Sequence, residues 1–467
     1  MTTSISLTWK KLVALFGAVL LVIGIGVTAL PSPASAAPNT PEPTLNGEWN
    51  CDADGECQYL DSTGAAYAST WLLWGGKWYY LGPGEYMYRT VGAHTEHNEK
   101  QIDGKYYRFD SSGAMITGWV LVEYSGINHW MYYGADGSRL TNTAAYIDGA
   151  WYVFNTNGVM QFSGGFGIGG RYYQLTASGA AVIGWFEHNG DWYYYGSNAA
   201  RVEEQWVQSG GKWYYFGYDG KMYGGKDSVV IRPIGPDYYA FGTSGAMLTG
   251  WYQVIVDGKT VWMYSDSNGV VVHDDWRYLG GKWYYFKPTG PMYVGNGNNL
   301  EKIGDNWYRF TSSGAVLTGW YQTQTAQGKV AWNYHKDNGA LAHGEWVATG
   351  GKWYSFADTG SMRADTCTGK VNDDIARDIY CFDASGAMIT SGWYYSSQFD
   401  SWKYLGSSGL AYTGWAYING NWYYFNPLNW SNMVAGTTFQ IANVNYVFSA
   451  SGAWTGQSFA VGGGIGI

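Results

Sequence analysis

Short aromatic runs alternate with glycine turns along nearly the whole chain. The clearest example is Trp206 to Gly225, WVQSGGKWYYFGYDGKMYGG. A Gly-Gly pair precedes Lys212-Trp213-Tyr214-Tyr215-Phe216, and a second turn follows at Tyr218-Asp219-Gly220. Glycine supplies the positive φ of tight turns, so aromatic strands flanking such turns predict β-hairpins. Side chains alternate across a strand, which places Trp213 and Tyr215 on one face and Tyr214 and Phe216 on the other. An isolated hairpin of this size is marginally stable and must stack on others. Near copies occur at Gly280 to Phe286 and Gly350 to Phe356, with looser forms at Gly75 to Tyr80, Gly149 to Phe154 and Asn419 to Phe425.

Three kinds of unit alternate from residue 58 to 457. Trp-start units begin at Trp71, Thr143, Trp206, Trp276, Trp346 and Trp415. Others end in a Ser-Gly-Ala block, as at Ser112-Gly113-Ala114 and Ser385-Gly386-Ala387. The third kind opens with the Trp after that block: Trp119, Trp185, Trp251, Trp320 and Trp393. Tandem repeats of roughly 20–25 residues, each touching only its neighbours, predict an all-β fold: an elongated β-hairpin solenoid.

The flanks read differently. Residues 1–36 carry Lys10-Lys11, an apolar run and a Ser35-Ala36 cleavage pattern, the layout of a signal peptide. Residues 37–57 form a Pro-rich linker followed by a Cys51–Cys57 hairpin, and residues 458–467 a Gly-rich C-terminal tail. An exported chain favours disulfides. Four cysteines allow three pairings, of which the local one, Cys51–Cys57 with Cys367–Cys381, is expected.

Composition narrows the function. Aromatics reach 19% while charged residues are only 13%, so Trp and Tyr must build the core and a disordered chain is excluded. A net charge of −9 argues against nucleic acid and anionic membrane, both of which need basic patches; membrane contact is expected only through the signal segment. Asp52, Asp54 and Glu56 fall short of a calcium loop, and His94-Thr95-Glu96-His97 lacks a third metal ligand. The acidic pairs Glu203-Glu204, Asp274-Asp275 and Asp373-Asp374 are adjacent in turns, not held across a cleft as glycosidase carboxylates are. No stretch of the array accommodates a separate catalytic domain. The chain is read as a non-enzyme with no cofactor and no metal.

The pattern Gly-Trp, a short variable stretch, Gly-Lys-Trp-Tyr-Tyr-Phe, then Gly-x-Met resembles the cell-wall-binding repeats of Gram-positive surface proteins, which include the choline-binding and glucan-binding repeats. The resemblance covers nearly the whole mature chain. It implies ligand sites between consecutive hairpins, each a cage of about three aromatics with a Met alongside. Carried onto this sequence, one cage comprises Trp185, Trp192 and Tyr215, and a second Trp251, Trp262 and Tyr285. Trp206 and Trp213 are expected to be closed by Tyr239, while Met222 and Met292 occupy the Gly-x-Met position. Ser355, Val153 and Arg309 stand where the closing aromatic is expected for Trp320/Trp332, Trp119/Trp130 and Trp276/Trp283, so those sites are expected to be weak or absent. The implied function is a secreted, cell-wall-associated protein that binds choline-substituted teichoic acid or a similar polymer. The alternatives are an α-glucan-binding adhesin and a wall hydrolase with a hidden active site. Cation–π attraction holds quaternary ammonium groups on aromatic faces, and avidity on a polymer offsets weak individual sites.

Overall fold

A computed structural model describes residues 45–91, 99–124, 126–324, 328–372 and 375–462. The signal segment, the His94–His97 motif and the Asp373-Asp374 pair lie outside these residues. The chain divides into two compact units, 1–224 and 225–467.

Among the described residues the only regular structure is β, and each unit is a succession of antiparallel hairpins. Gln205–Ser209 pairs with Lys212–Phe216, Asp275–Leu279 with Lys282–Phe286, and Trp346–Thr349 with Lys352–Ser355. Two three-stranded sheets, Gly414 to Met433 and Thr438 to Ala460, lie near the C-terminal end. The turn glycines adopt the expected left-handed φ, +57° and +75° at Gly210 and Gly211.

The Ser-Gly-Ala blocks are turns, two of them capped by a carboxylate and two by the Thr176 and Thr311 hydroxyls. Asp110 Oδ1 accepts hydrogen bonds from the Ser112 and Ala114 backbone N–H groups, and Asp383 repeats this with Ser385 and Ala387. After each such turn the chain crosses back to the preceding hairpin. The Met292 N–H donates to the Trp262 carbonyl at 2.8 Å, and that of Met362 to the Trp332 carbonyl at 2.7 Å. A Cβ on Gly386 would lie 2.3 Å from Met362 Sδ, so glycine there lets the next turn close over the methionine.

The core of each unit is divided into small separate clusters between hairpins. Phe109, Phe154, Phe216, Phe286, Phe356, Phe382 and Phe425, each at or beside the end of a second strand, are fully buried. Both disulfides form as expected, Cys51–Cys57 and Cys367–Cys381. Cys367 pairs with Cys381 at the register where Trp206 pairs with Tyr215, so the second bridge replaces an aromatic cross-strand pair.

Candidate functional site

Each open interface presents the same four positions. A first-strand Trp and a second-strand Trp come from one hairpin. A second-strand Tyr comes from the next hairpin, and the fourth member, a Met at most of them, from the turn after it; Val316 stands there beside Trp283 and Trp454 beside Trp422. In the second unit Trp251 and Trp262 stand nearly orthogonal, ring centres 6.3 Å apart at 85°, and Tyr284 lies 5.0 Å from Trp251. Met292 completes this cage. In the first unit Trp185 and Trp192 lie 6.1 Å apart at 81°, Tyr214 is 4.8 Å from Trp185, and Met222 is the fourth member, its N–H donating to the Trp192 carbonyl at 2.8 Å.

These positions correct the expected cages by one residue. Tyr214 and Tyr284 close them, not Tyr215 and Tyr285. Alternation explains the shift. Tyr214 and Phe216 face the preceding hairpin, where Phe216 also packs on Trp185. Tyr215 lies on the opposite face, paired with Trp206 at 5.1 Å, and Tyr285 likewise pairs with Trp276 at 5.0 Å. Each of the two tyrosines therefore belongs to the interface after the one assigned to it. Trp206 and Trp213 belong to the first unit and Tyr239 to the second.

The same reasoning restores three interfaces expected to be defective. Tyr354, not Ser355, closes Trp320/Trp332, at 4.8 Å from Trp320. Tyr152, not Val153, closes Trp119/Trp130, again at 4.8 Å. Tyr308 lies 4.5 Å from Trp276, while Arg309 turns away to cover Tyr321 at 4.2 Å. Further cages form from Trp346, Trp353, Tyr380 and Met388, from Trp393, Trp402 and Tyr423, and from Trp415, Trp422, Tyr446 and Trp454. They are hollows of about 280 Å³ at Trp320/Trp332 and at Trp346/Trp353, and about 320 Å³ at Trp415/Trp422. The cage tryptophans are accessible: Trp192, Trp262, Trp332 and Trp402 are 39–44% exposed, and the first-strand Trp251, Trp320 and Trp346 38–39%.

Polar groups on the neighbouring faces are already engaged. The Tyr285 hydroxyl donates to Asp274 at 2.7 Å, and burial together with this bond pushes its pKa up to about 12. Glu203 pairs with Arg201, and Asp275 with Arg277. Asp52 caps its own turn through the Asp54 and Glu56 N–H groups, and Glu56 pairs with Arg89.

Two interfaces in the first unit lack a cage and hold a cation of their own. In the hairpin Glu99–Ile102/Lys105–Arg108, Glu99 and Tyr106 replace the two tryptophans, Met131 the closing tyrosine and Arg139 the methionine. Arg139 lies 4.5 Å over the Tyr106 ring and 2.5 Å from Glu99, and both partners are about nine-tenths buried. Arg201 similarly lies 4.3 Å over Tyr172 and 5.9 Å from Tyr193. Sequence reasoning missed these plugs, although Arg139 and Arg201 occupy the position held elsewhere by Met222 and Met292.

Stacked hairpins with aromatic cages between them define a tandem binding-repeat protein. Segments of the chain match choline-binding, or cell-wall-binding, repeats: a "Choline-binding repeat" matches residues 99–143, and a "Putative cell wall binding repeat" matches 69–87, 145–160, 204–222, 274–292, 298–316 and 413–427. Glucosyltransferase-I of Streptococcus downei is 25% identical over 80% of this chain and 22% of its own length. A "Putative endo-beta-N-acetylglucosaminidase" of Streptococcus pneumoniae is 31% identical over 20% of this chain and 13% of its own. The chain thus spans less than a quarter of the length of either relative. Choline binding protein F from Streptococcus pneumoniae aligns over 68% of this chain and 99% of its own, at 24% identity and a TM-score of 0.34.

Proposed function

We propose that this is a secreted, non-catalytic protein that attaches to a cell-wall polymer bearing quaternary ammonium groups, as choline-substituted teichoic acid does. The carrying observation is the repeated Trp-Trp-Tyr-Met cage, orthogonal indoles closed by a tyrosine from the next hairpin. A quaternary ammonium has no N–H to donate, so aromatic faces are its natural partners, at about 0.5–2 kcal/mol per contact. The arginine plugs support a cation as ligand, because at two of the interfaces without a cage the chain supplies a positive group at the equivalent position, although Ala181, Val271 and Leu341 stand there at others. The net charge of −9 fits a protein that grips the cationic substituent and not the phosphate of the polymer.

The glucosyltransferase likeness, extending over 80% of the chain, favours one second reading, in which the same cages hold a neutral α-glucan. Retention of the full chain on choline-substituted walls, eluted in parallel with choline and with dextran, separates the two. The proposal expects release by choline alone. Release by dextran alone supports the glucan reading, and equal retention on choline-free walls contradicts the first. Zymography on wall material tests the non-catalytic part, and a clearing band would overturn it.

A further inference from the structure

One hollow larger than the cage hollows given above contains no cage. It is an open cleft of about 820 Å³ in the first unit, beside the Arg139 plug. That volume lies within the range of small-molecule sites, roughly 300–1,000 Å³. Its charged walls, Glu99 and Arg139, neutralise one another, and Glu99 also accepts a 2.7 Å hydrogen bond from the Tyr133 hydroxyl. Neither a phosphate nor a quaternary ammonium finds an unmatched charge there.

The rest of the lining is neutral, polar and aromatic. Asn155 Oδ1 caps its own turn by accepting the Asn157 and Val159 N–H groups, which leaves its amide nitrogen unbonded among the described residues. Gln161 donates through Nε2 to the Val159 carbonyl, leaving Oε1 unbonded in the same sense. The Asn157 side chain makes no hydrogen bond among these residues, and the His129 imidazole offers one further donor or acceptor. Phe162 is 58% exposed, a large ring at the rim of the cleft. Amide donors and acceptors beside a flat apolar face match a pyranose, whose hydroxyls need both kinds of partner and whose C–H face packs on aromatic carbon.

We infer that this cleft binds a neutral oligosaccharide, independently of the cages and without competing for their ligand. The inference stands apart from the quaternary-ammonium reading, because the two sites share a single residue, Met160, the fourth member of the Trp130 cage.

The test titrates the full chain with isomaltotriose and with chitotriose by calorimetry, with and without saturating choline. Parallel titrations use the surface double variant Asn157→Ala/Phe162→Ala and the cage variant Trp262→Ala. The expected result is that at least one trisaccharide binds, that the double variant weakens it about tenfold or more, and that neither choline nor Trp262→Ala changes it. Absence of binding by both sugars, displacement by choline, or loss in Trp262→Ala with the double variant unaffected overturns the inference. Choline binding measured on the same samples shows separately whether the cage reading holds.

Discussion

The interface between hairpins 250–265 and 275–286 and the one between hairpins 99–108 and 118–133 share a backbone and differ in purpose. Both are tied by the same crossing bond, Met292 N–H to the Trp262 carbonyl in one and Arg139 N–H to the Tyr106 carbonyl in the other, each 2.8 Å. In the first, Trp251, Trp262, Tyr284 and Met292 leave aromatic faces open. In the second, Glu99, Tyr106, Met131 and Arg139 hold the equivalent positions, with an internal ion pair over one ring and the open cleft beside it. The hairpins stack with or without a cage between them. Side chains at four positions decide whether a cage is left open to a ligand, while hairpin registration rests on Phe109 or Phe286 and on the crossing bond.

Four changes break or sharpen this contrast. The largest effect is expected from removing several accessible walls together. Replacing Trp130, Trp192, Trp262 and Trp332 by Ala is predicted to cost at least about a hundredfold in retention on choline-bearing walls, because avidity multiplies the loss at each site. Thermal unfolding should change little by comparison, since these rings are 39–44% exposed; a large drop in Tm with retention preserved would reverse their assignment. On the plugged side, Arg139→Ala leaves Glu99 buried without its partner, with an expected loss of about 3–5 kcal/mol in urea unfolding. Choline retention should survive that change in conditions where the chain is folded. A negligible change in stability would mean the plug is ornamental.

The third change concerns the core of the hairpin that carries Trp320 and Trp332. His335 is fully buried, its Nδ1–H donates to the Gly339 carbonyl at 3.1 Å, and burial pulls its pKa down to about 4. Its folded pKa lies below the ordinary 6.5, so the unfolded chain takes up a proton that the folded one refuses. Stability is therefore full above about pH 6.5, declines as pH falls towards 4 and levels off below. The gap corresponds to about 3 kcal/mol at about 1.4 kcal/mol per pH unit. Other hairpins hold Leu81, Leu175 or Leu405 at this place. His335→Leu should flatten the difference between denaturation midpoints at pH 7 and pH 4.5, and an unchanged pH slope would contradict the burial argument. The smallest effect is that of a single wall: Trp262→Ala should weaken choline at its own site about tenfold, 1–2 kcal/mol, with the other cages untouched.

Much of this was legible in the chain. Gly-Gly turns before Lys-Trp-Tyr-Tyr-Phe specify hairpins, and the spacing of Cys51 from Cys57 and Cys367 from Cys381 places both bridges across neighbouring strands. The closing tyrosine was not. Tyr214 and Tyr215 are chemically identical neighbours, and only the facing of two stacked strands separates the one that closes Trp185 from the one that pairs with Trp206. That facing is fixed by Phe216, which must be buried and carries Tyr214 onto its own face. The plugs left a readable trace, an arginine in the methionine position, but its meaning depends on Glu99 forty residues away in sequence.

Equilibrium dialysis of labelled choline against the full chain tests the central claim most directly. Saturable uptake at more than one site per chain is predicted, with the count falling by one in Trp262→Ala and unchanged in a Tyr218→Ala control, whose ring is exposed outside any described cage. Absence of saturable uptake, or a stoichiometry indifferent to Trp262, would contradict it.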